Sequence, residues 1–183
     1  MKRDVLVITV WFGLAAALIG TLAVIGFLSQ PGSLPTDTEL STAYRVRTSD
    51  FEAARDVFEK NPQIVAIFPT FPEGFMTDSN HKSEFTHDQI VDFGRLVDRT
   101  GTSSAFRPSA VQSAIRFSVA NIDLEPYGID SLFVEKGIVY SESILSPVRE
   151  SLDEPAACAH GIAYRPIEKN WYIYCFEGVN HPE

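Results

Sequence analysis

The sequence predicts a small α+β domain joined to a single N-terminal transmembrane α-helix. Three features lead to this fold class: one long apolar segment without charges, two segments with helical periodicity and capping residues, and short apolar runs typical of strands. Helices and mostly antiparallel strands in this order favour two main helices on one face of a sheet that ends in a C-terminal β-hairpin.

The apolar segment, Val5 to Leu28, has 24 residues and no charged side chain. As a helix it would be about 36 Å long, enough to cross a hydrocarbon core of about 30 Å with some tilt. Lys2 and Arg3 precede it, and the next basic residue is Arg45. The positive-inside rule therefore places residues 1–4 in the cytoplasm and the rest of the chain in the periplasm, outside the cell inner membrane. The segment is longer than a signal-peptide core and has no small-x-small site at its end, which favours a retained anchor over a cleaved signal.

Small residues at helical spacing give this segment a packing face. Gly13 and Ala17 form a small-xxx-small pair, and Gly20 lies on the same side of the helix. These residues allow a weak homo-oligomer through the transmembrane helix, but the favoured interpretation is that Gly and Ala are simply common in membrane helices.

The exported part divides into a linker, a domain and a tail. Residues 29–40 contain two prolines, a glycine and small polar side chains, which is typical of a tether. Residues 41–177 are predicted to form the extracytoplasmic domain, and residues 178–183 a frayed tail.

The charge balance of the exported part is acidic. The chain carries 15 Lys and Arg against 24 Asp and Glu, and with Lys2, Arg3 and Asp4 set aside the remainder has a net charge of −10. Such a surface disfavours nucleic acid and anionic lipid headgroups, and it would favour a basic protein partner. The alternative is that the acidic balance only keeps the domain soluble.

Capping residues predict where the two main helices begin and end. Ser49–Glu52 is a capping box at the start of an apolar helical stripe, which Asn61-Pro62 terminates. Thr86–Gln89 is a second capping box, and Gly101 is placed for a left-handed C-cap.

Apolar runs predict the strands. Ile64–Phe68 is continuous and reads as a central strand, whereas Ile115–Val119 alternates and reads as a half-exposed strand. A helix over Val111–Phe117 is an alternative. Leu132–Tyr140 is predicted as a hairpin that turns at Glu135-Lys136-Gly137.

The C-terminal hairpin is predicted over Ala157–Tyr164 and Lys169–Glu177, joined by a loop at Arg165–Glu168. This register places Cys158 directly opposite Cys175. Because the domain is expected in an oxidising compartment and has no other cysteine, we expect a disulfide, which would stabilise the domain by about 3 kcal/mol on the chain-entropy model.

Motifs that specify a reaction are absent from the sequence: there is no nucleophile elbow, no C-x-x-C and no phosphate-binding loop. His81 and His87 lie near three carboxylates, Asp78, Glu84 and Asp88. The spacing of the histidines does not match a zinc site, so we expect neither a metal nor a cofactor. A membrane-anchored periplasmic hydrolase that uses His81, His87 and these carboxylates is the alternative function.

An aromatic segment after the first predicted strand is the candidate for partner binding. Phe71, Phe75 and Met76 lie in a run stiffened by two prolines, and such a run loses little entropy when it binds. The alternative is that Phe71 and Phe75 pack under the sheet as satellite core. The sequence thus favours a membrane-anchored, non-enzymatic protein-interaction module with an envelope-assembly, inhibitor or immunity-type role.

Overall fold

The structure, a computed structural model, describes residues 33–69, 75–77, 84–108, 113–123, 131–154, 157–159 and 161–180. The predicted membrane span Val5–Leu28, with Gly13, Ala17 and Gly20, lies outside these residues. In the described part of the chain, no helix combines the length and the apolar character needed to cross a membrane.

The described part of the domain contains three helices and one seven-stranded sheet. The helices are α1 (Asp37–Val46), α2 (Thr48–Lys60) and α3 (His87–Thr100). The strands are β1 (Ile64–Ile67), β2 (Phe75–Thr77), β3 (Ser104–Phe106), β4 (Ala114–Asp123), β5 (Ser131–Ser141), β6 (Ile162–Glu168) and β7 (Trp171–Asn180). Their order across the sheet is β2-β1-β3-β4-β5-β7-β6, and all neighbours are antiparallel. The predicted α+β class is therefore confirmed, with three helices in place of two.

Helix α1 begins inside the segment that the sequence assigns to a linker. The side chain of Thr36 accepts a hydrogen bond from the Glu39 N–H, and the Glu39 carboxylate accepts one from the Thr36 N–H at 2.7 Å. Asp37 and Leu40 are buried. The linker boundary at residue 40 is thus wrong from Asp37 onward, because a capping box and a buried face turn this polar segment into a helix.

Helices α2 and α3 occur where the sequence predicts them, but only α3 begins at its predicted cap. Thr86 and Gln89 form the capping box, and Gly101 ends the helix with φ of 77°. Helix α2 instead has Arg47 as its N-cap, without a side-chain hydrogen bond. The Arg47 N–H still bonds to carbonyls of α1, so the chain has no break at which the predicted Ser49–Glu52 box could form.

The helices cover one side of the sheet, here called the helix face. At its centre the rings of Tyr44 and Trp171 lie 5.1 Å apart, as do those of Phe51 and Phe117. The Trp171 indole N–H donates to Glu52 at 2.9 Å. Burial of these large rings supplies apolar driving force, while the indole keeps its hydrogen bond.

Strand β5 runs without a break through the predicted Glu135-Lys136-Gly137 turn, so that hairpin is wrong. A Cβ atom at Gly137 would lie 2.1 Å from the carbonyl oxygen of Phe117 and 3.0 Å from a ring atom of Tyr174. The glycine is needed for this close approach of backbone and ring, not for a turn.

The C-terminal hairpin forms in a register that differs from the prediction. Lys169–Asn170 is the connection, with Asn170 at φ of 67°, and Ala163 is the residue opposite Cys175. Cys158 precedes β6, yet its disulfide with Cys175 closes across a Cα separation of 5.4 Å. The predicted disulfide is confirmed, while the predicted register is wrong because the turn is shorter than the four-residue loop assumed.

Residues 142–154, here called the strap, pass around the outer edge of β6. Tyr164 exchanges backbone hydrogen bonds with the strap, to the Pro147 carbonyl at 3.0 Å and from the Arg149 N–H at 2.8 Å. Leu145 packs on one face of the sheet and Leu152 belongs to a core cluster on the other. The strap therefore covers a sheet edge that would otherwise present unpaired backbone groups.

Buried charges fasten the strap and α1 to the sheet. Lys136 is 1% exposed, and its ammonium lies 2.9 Å from Asp37 and 2.8 Å from Asp153. Asp37 also accepts a hydrogen bond from the Leu152 N–H at 2.7 Å, and Arg165 lies 3.6 Å from it. Each buried charge in this cluster thus faces an opposite charge, as burial requires.

Candidate functional site

The face of the sheet opposite the helices, here called the far face, carries an open cavity of about 570 Å³. Side chains alternate along each strand, so Phe117 points into the helix-face core whereas Ser118 lines the cavity. The same alternation separates Ala105, in the core, from Ser104 and Phe106 in the cavity wall.

Pairing across the strands brings the polar residues of the cavity together. Ser104 on β3 pairs with Ser118 on β4, and Asn121 on β4 pairs with Glu135 on β5. A register shift between Ser118 and Ala120 places both Ser118 and Asn121 on the far face. This bulge lets serine, asparagine and glutamate groups line one side of the cavity.

Glu135 is the central polar group of this side. The Tyr174 hydroxyl donates to its carboxylate, and Ser118 also bonds to it. Burial raises the pKa of Glu135 above its ordinary value, although these hydrogen bonds and the nearby Arg116 lower it. Burial and the charge of Glu135 raise the pKa of Tyr174 well above its ordinary value, so the phenol remains a donor.

Arg116 lies over the aromatic rings next to Glu135. Its guanidinium carbon is 5.2 Å from the ring centroid of Tyr174 and 5.5 Å from that of Phe176. This stacking holds a positive charge beside the Glu135 carboxylate without a direct hydrogen bond between them in the described structure. The strap residue Leu145 belongs to the same buried cluster as Tyr174.

The opposite wall of the cavity is mainly apolar. Val65, Phe68 and Phe106 contribute it, with Arg107 at the margin. The Arg107 guanidinium donates to the carbonyl oxygen of Phe58 and lies 5.6 Å from the centroid of its ring. The cavity is therefore amphipathic, with an aromatic wall facing a polar one.

Of the residues predicted for partner binding, the structure describes Phe75 and Met76. Phe75 is 3% exposed and packs edge-to-face on Phe85 at 5.0 Å. The prediction that Phe75 binds a partner is wrong, because strand β2 directs its side chain into the core. The alternative that Phe75 packs as satellite core fits the structure. Met76 is 53% exposed on the same strand, while Phe71 lies outside the described residues.

Of the residues in the hydrolase alternative, the structure describes Glu84, His87 and Asp88. His87 is exposed at the first turn of α3, and His81 lies outside the described residues. Within the described ranges, no three His, Cys, Asp or Glu side chains group as metal ligands would. Cys158 and Cys175 are joined in a buried disulfide and act as a structural link.

Sequence reasoning missed Glu135 and Tyr174. Glu135 could have been found from its position among the apolar residues of Leu132–Tyr140. If this segment is read as one unbroken strand, Glu135 points to the face opposite that of Val134 and Lys136. The glycine at residue 137 instead favoured a turn.

No protein-family model matches the chain, and comparisons with curated proteins and with solved structures give no match.

Proposed function

We propose that this protein is a non-catalytic recognition module, held in the periplasm by a single-pass anchor in the inner membrane, that binds a protein partner through the far-face cavity. The cavity itself carries this proposal. Its volume of about 570 Å³ falls within the usual range for binding pockets. It also combines an apolar wall with a few convergent polar groups, as binding sites do.

Sequence features support the proposed location and the kind of partner. The charge-free run Val5–Leu28 behind Lys2 and Arg3 would place the domain outside the membrane. The net charge of −10 beyond that run would attract a basic partner and speed its approach. An anchor would also hold the module within reach of other proteins of the same membrane, which raises their effective concentration.

Site-specific photocrosslinking tests the proposal. A photoreactive phenylalanine analogue replaces Phe68 in the cavity wall of the full chain in intact membranes, and the same analogue replaces Arg95, 71% exposed on α3, as the control. We expect a discrete crosslinked protein from position 68 and none from position 95. Adding Ser104→Phe, which fills the cavity, should cut the crosslink to about a tenth or less, as loss of a central contact does. Equal crosslinks from both positions, or a crosslink unaffected by Ser104→Phe, would contradict the proposal.

A further inference from the structure

Ser104 offers the cavity a hydroxyl that the described residues leave unused. The residue is 6% exposed, its side chain lies in the cavity wall, and its Oγ makes no hydrogen bond to any described residue. Its neighbour Ser103, in contrast, donates to the Ser118 carbonyl at 3.1 Å. A mostly buried hydroxyl open to a cavity is a donor and an acceptor for a bound group.

The charged groups around the cavity are already engaged within the protein. Glu135 accepts from Tyr174 and lies beside Arg116, which is stacked on Tyr174 and Phe176. The Arg107 guanidinium is bound to the Phe58 carbonyl. Because Arg116 already offsets the charge of Glu135, a charged ligand would lose its hydration for only a shared counter-charge, and such burial is costly. The cavity therefore favours an uncharged group.

An uncharged group that suits both walls must combine an apolar part with a hydrogen-bond donor and an acceptor. Phe68, Phe106 and Val65 form the apolar wall, while Ser104 can donate and Glu135 can accept. A carboxylate has about four lone-pair sites, so Glu135 retains acceptor capacity beyond its bonds to Tyr174 and Ser118. Peptide amides carry the complementary N–H and C=O groups next to an apolar side chain.

We infer that the far-face cavity takes an uncharged peptide segment of the partner, with an apolar side chain against Phe68 and Phe106. The main-chain carbonyl of that segment accepts from the Ser104 hydroxyl, and its N–H donates to Glu135. This inference rests on the proposed protein-binding function and names the chemistry that the cavity recognises.

Four small probes test this chemistry by ligand-observed NMR on the full chain in lipid nanodiscs. N-acetyl-leucine N-methylamide is uncharged and has both amides and the side chain. N-acetyl-leucine adds a carboxylate, leucine N-methylamide adds an ammonium, and N-methylacetamide lacks the side chain. We expect the uncharged leucine diamide to bind at least about tenfold more tightly than each of the other three, because burying an unpaired charge or losing the apolar contact is costly.

Two serine variants assign the bound probe to the cavity. Ser104→Ala should weaken the diamide about fivefold, the usual effect of one neutral hydrogen bond. Ser49→Ala, at an exposed position on α2, should leave its affinity unchanged. Tighter or equal binding of a charged probe, or a diamide affinity that Ser104→Ala leaves unaltered, would overturn the inference.

The probe experiment and the crosslinking experiment test different proposals, so their negative results can be told apart. Crosslinking from position 68 without diamide binding would refute the uncharged-peptide chemistry and leave the recognition function standing. Diamide binding that depends on Ser104, without any protein crosslinked from position 68, would support the cavity chemistry and refute the proposed protein partner.

Discussion

Two adjacent residues on β5, Glu135 and Lys136, give the two faces of the sheet their different character. Strand alternation directs Lys136 into the helix-face core, where Asp37 and Asp153 neutralise it. The same alternation directs Glu135 to the far face, where its partners are the hydroxyl of Tyr174 and the charge of Arg116. Lys136 therefore has a structural role in the core, whereas Glu135 lines the cavity and can contact a ligand.

Glu135→Gln should change how stability depends on pH. Because burial raises the pKa of Glu135, the folded protein holds this proton more tightly than the unfolded chain. That contribution to stability is fully present below the unfolded pKa, about 4.3, and is lost as pH rises through the folded value. The glutamine variant has no such loss, so its free energy of unfolding relative to wild type should increase as pH rises from about 3 to 7.

Urea denaturation at several pH values, with the disulfide intact, measures this difference. The pKa of Asp153 lies below its ordinary value. Partial burial raises this pKa, but hydrogen bonds from Lys136 and the Asp37 N–H lower it further than burial raises it. Asp153 titrates in both proteins and cancels in the comparison. Parallel pH curves for the two proteins would show that Glu135 is not desolvated as described.

At the scale of elements, local signals were sufficient for helix α3 but insufficient for helix α1 and for the strand register. Helix α3 was predictable at both ends because Thr86, Gln89 and Gly101 act through contacts within their own turns. Helix α1 carries the same kind of box at Thr36–Glu39, but the surrounding prolines and small polar residues resemble a tether, and its burial is a tertiary effect.

The two hairpin predictions failed for different physical reasons. Glu135-Lys136-Gly137 has turn composition, but the close packing of Phe117 and Tyr174 on Gly137 explains the glycine. In the C-terminal hairpin the disulfide could be predicted because Cys158 and Cys175 are the only cysteines. The pairing did not determine the register, because Cys158 lies outside β6.

Gly137→Ala tests the corrected description of β5. The new methyl group would collide with the Phe117 carbonyl, so we expect a loss of about 1–3 kcal/mol in the free energy of unfolding, typical of overpacking. Gly94→Ala in α3 is the matched control, since its methyl would meet only the Pro69 Cα, at 3.8 Å, among described atoms. It should stabilise the protein by about 0.5–1 kcal/mol, the helix preference of alanine over glycine. A neutral Gly137→Ala would mean that β5 turns there as first expected.

At the scale of the whole molecule, the cavity could not be predicted because its walls come from segments far apart in sequence. Strand β2 and helix α3 separate Val65 and Phe68 from Ser104 in the sequence. Glu135 lies in the same cavity only because the sheet order is β1-β3-β4-β5. That order follows from tertiary pairing, which no local pattern encodes. The anchor at Val5–Leu28 remains a prediction from the sequence, and under the proposed function it would keep the domain at the membrane.

The affinity of the crosslinked partner for three forms of the full chain tests the recognition function most directly. Ser104→Phe fills the cavity from within its wall and should weaken binding about 30-fold or more, as loss of a contact worth about 2 kcal/mol does. His87→Ala removes an exposed residue of the hydrolase alternative and should change affinity by less than about twofold. Both variants should unfold within a few degrees of wild type. The opposite result, in which folded Ser104→Phe binds normally and His87→Ala does not, would contradict the cavity as the recognition site.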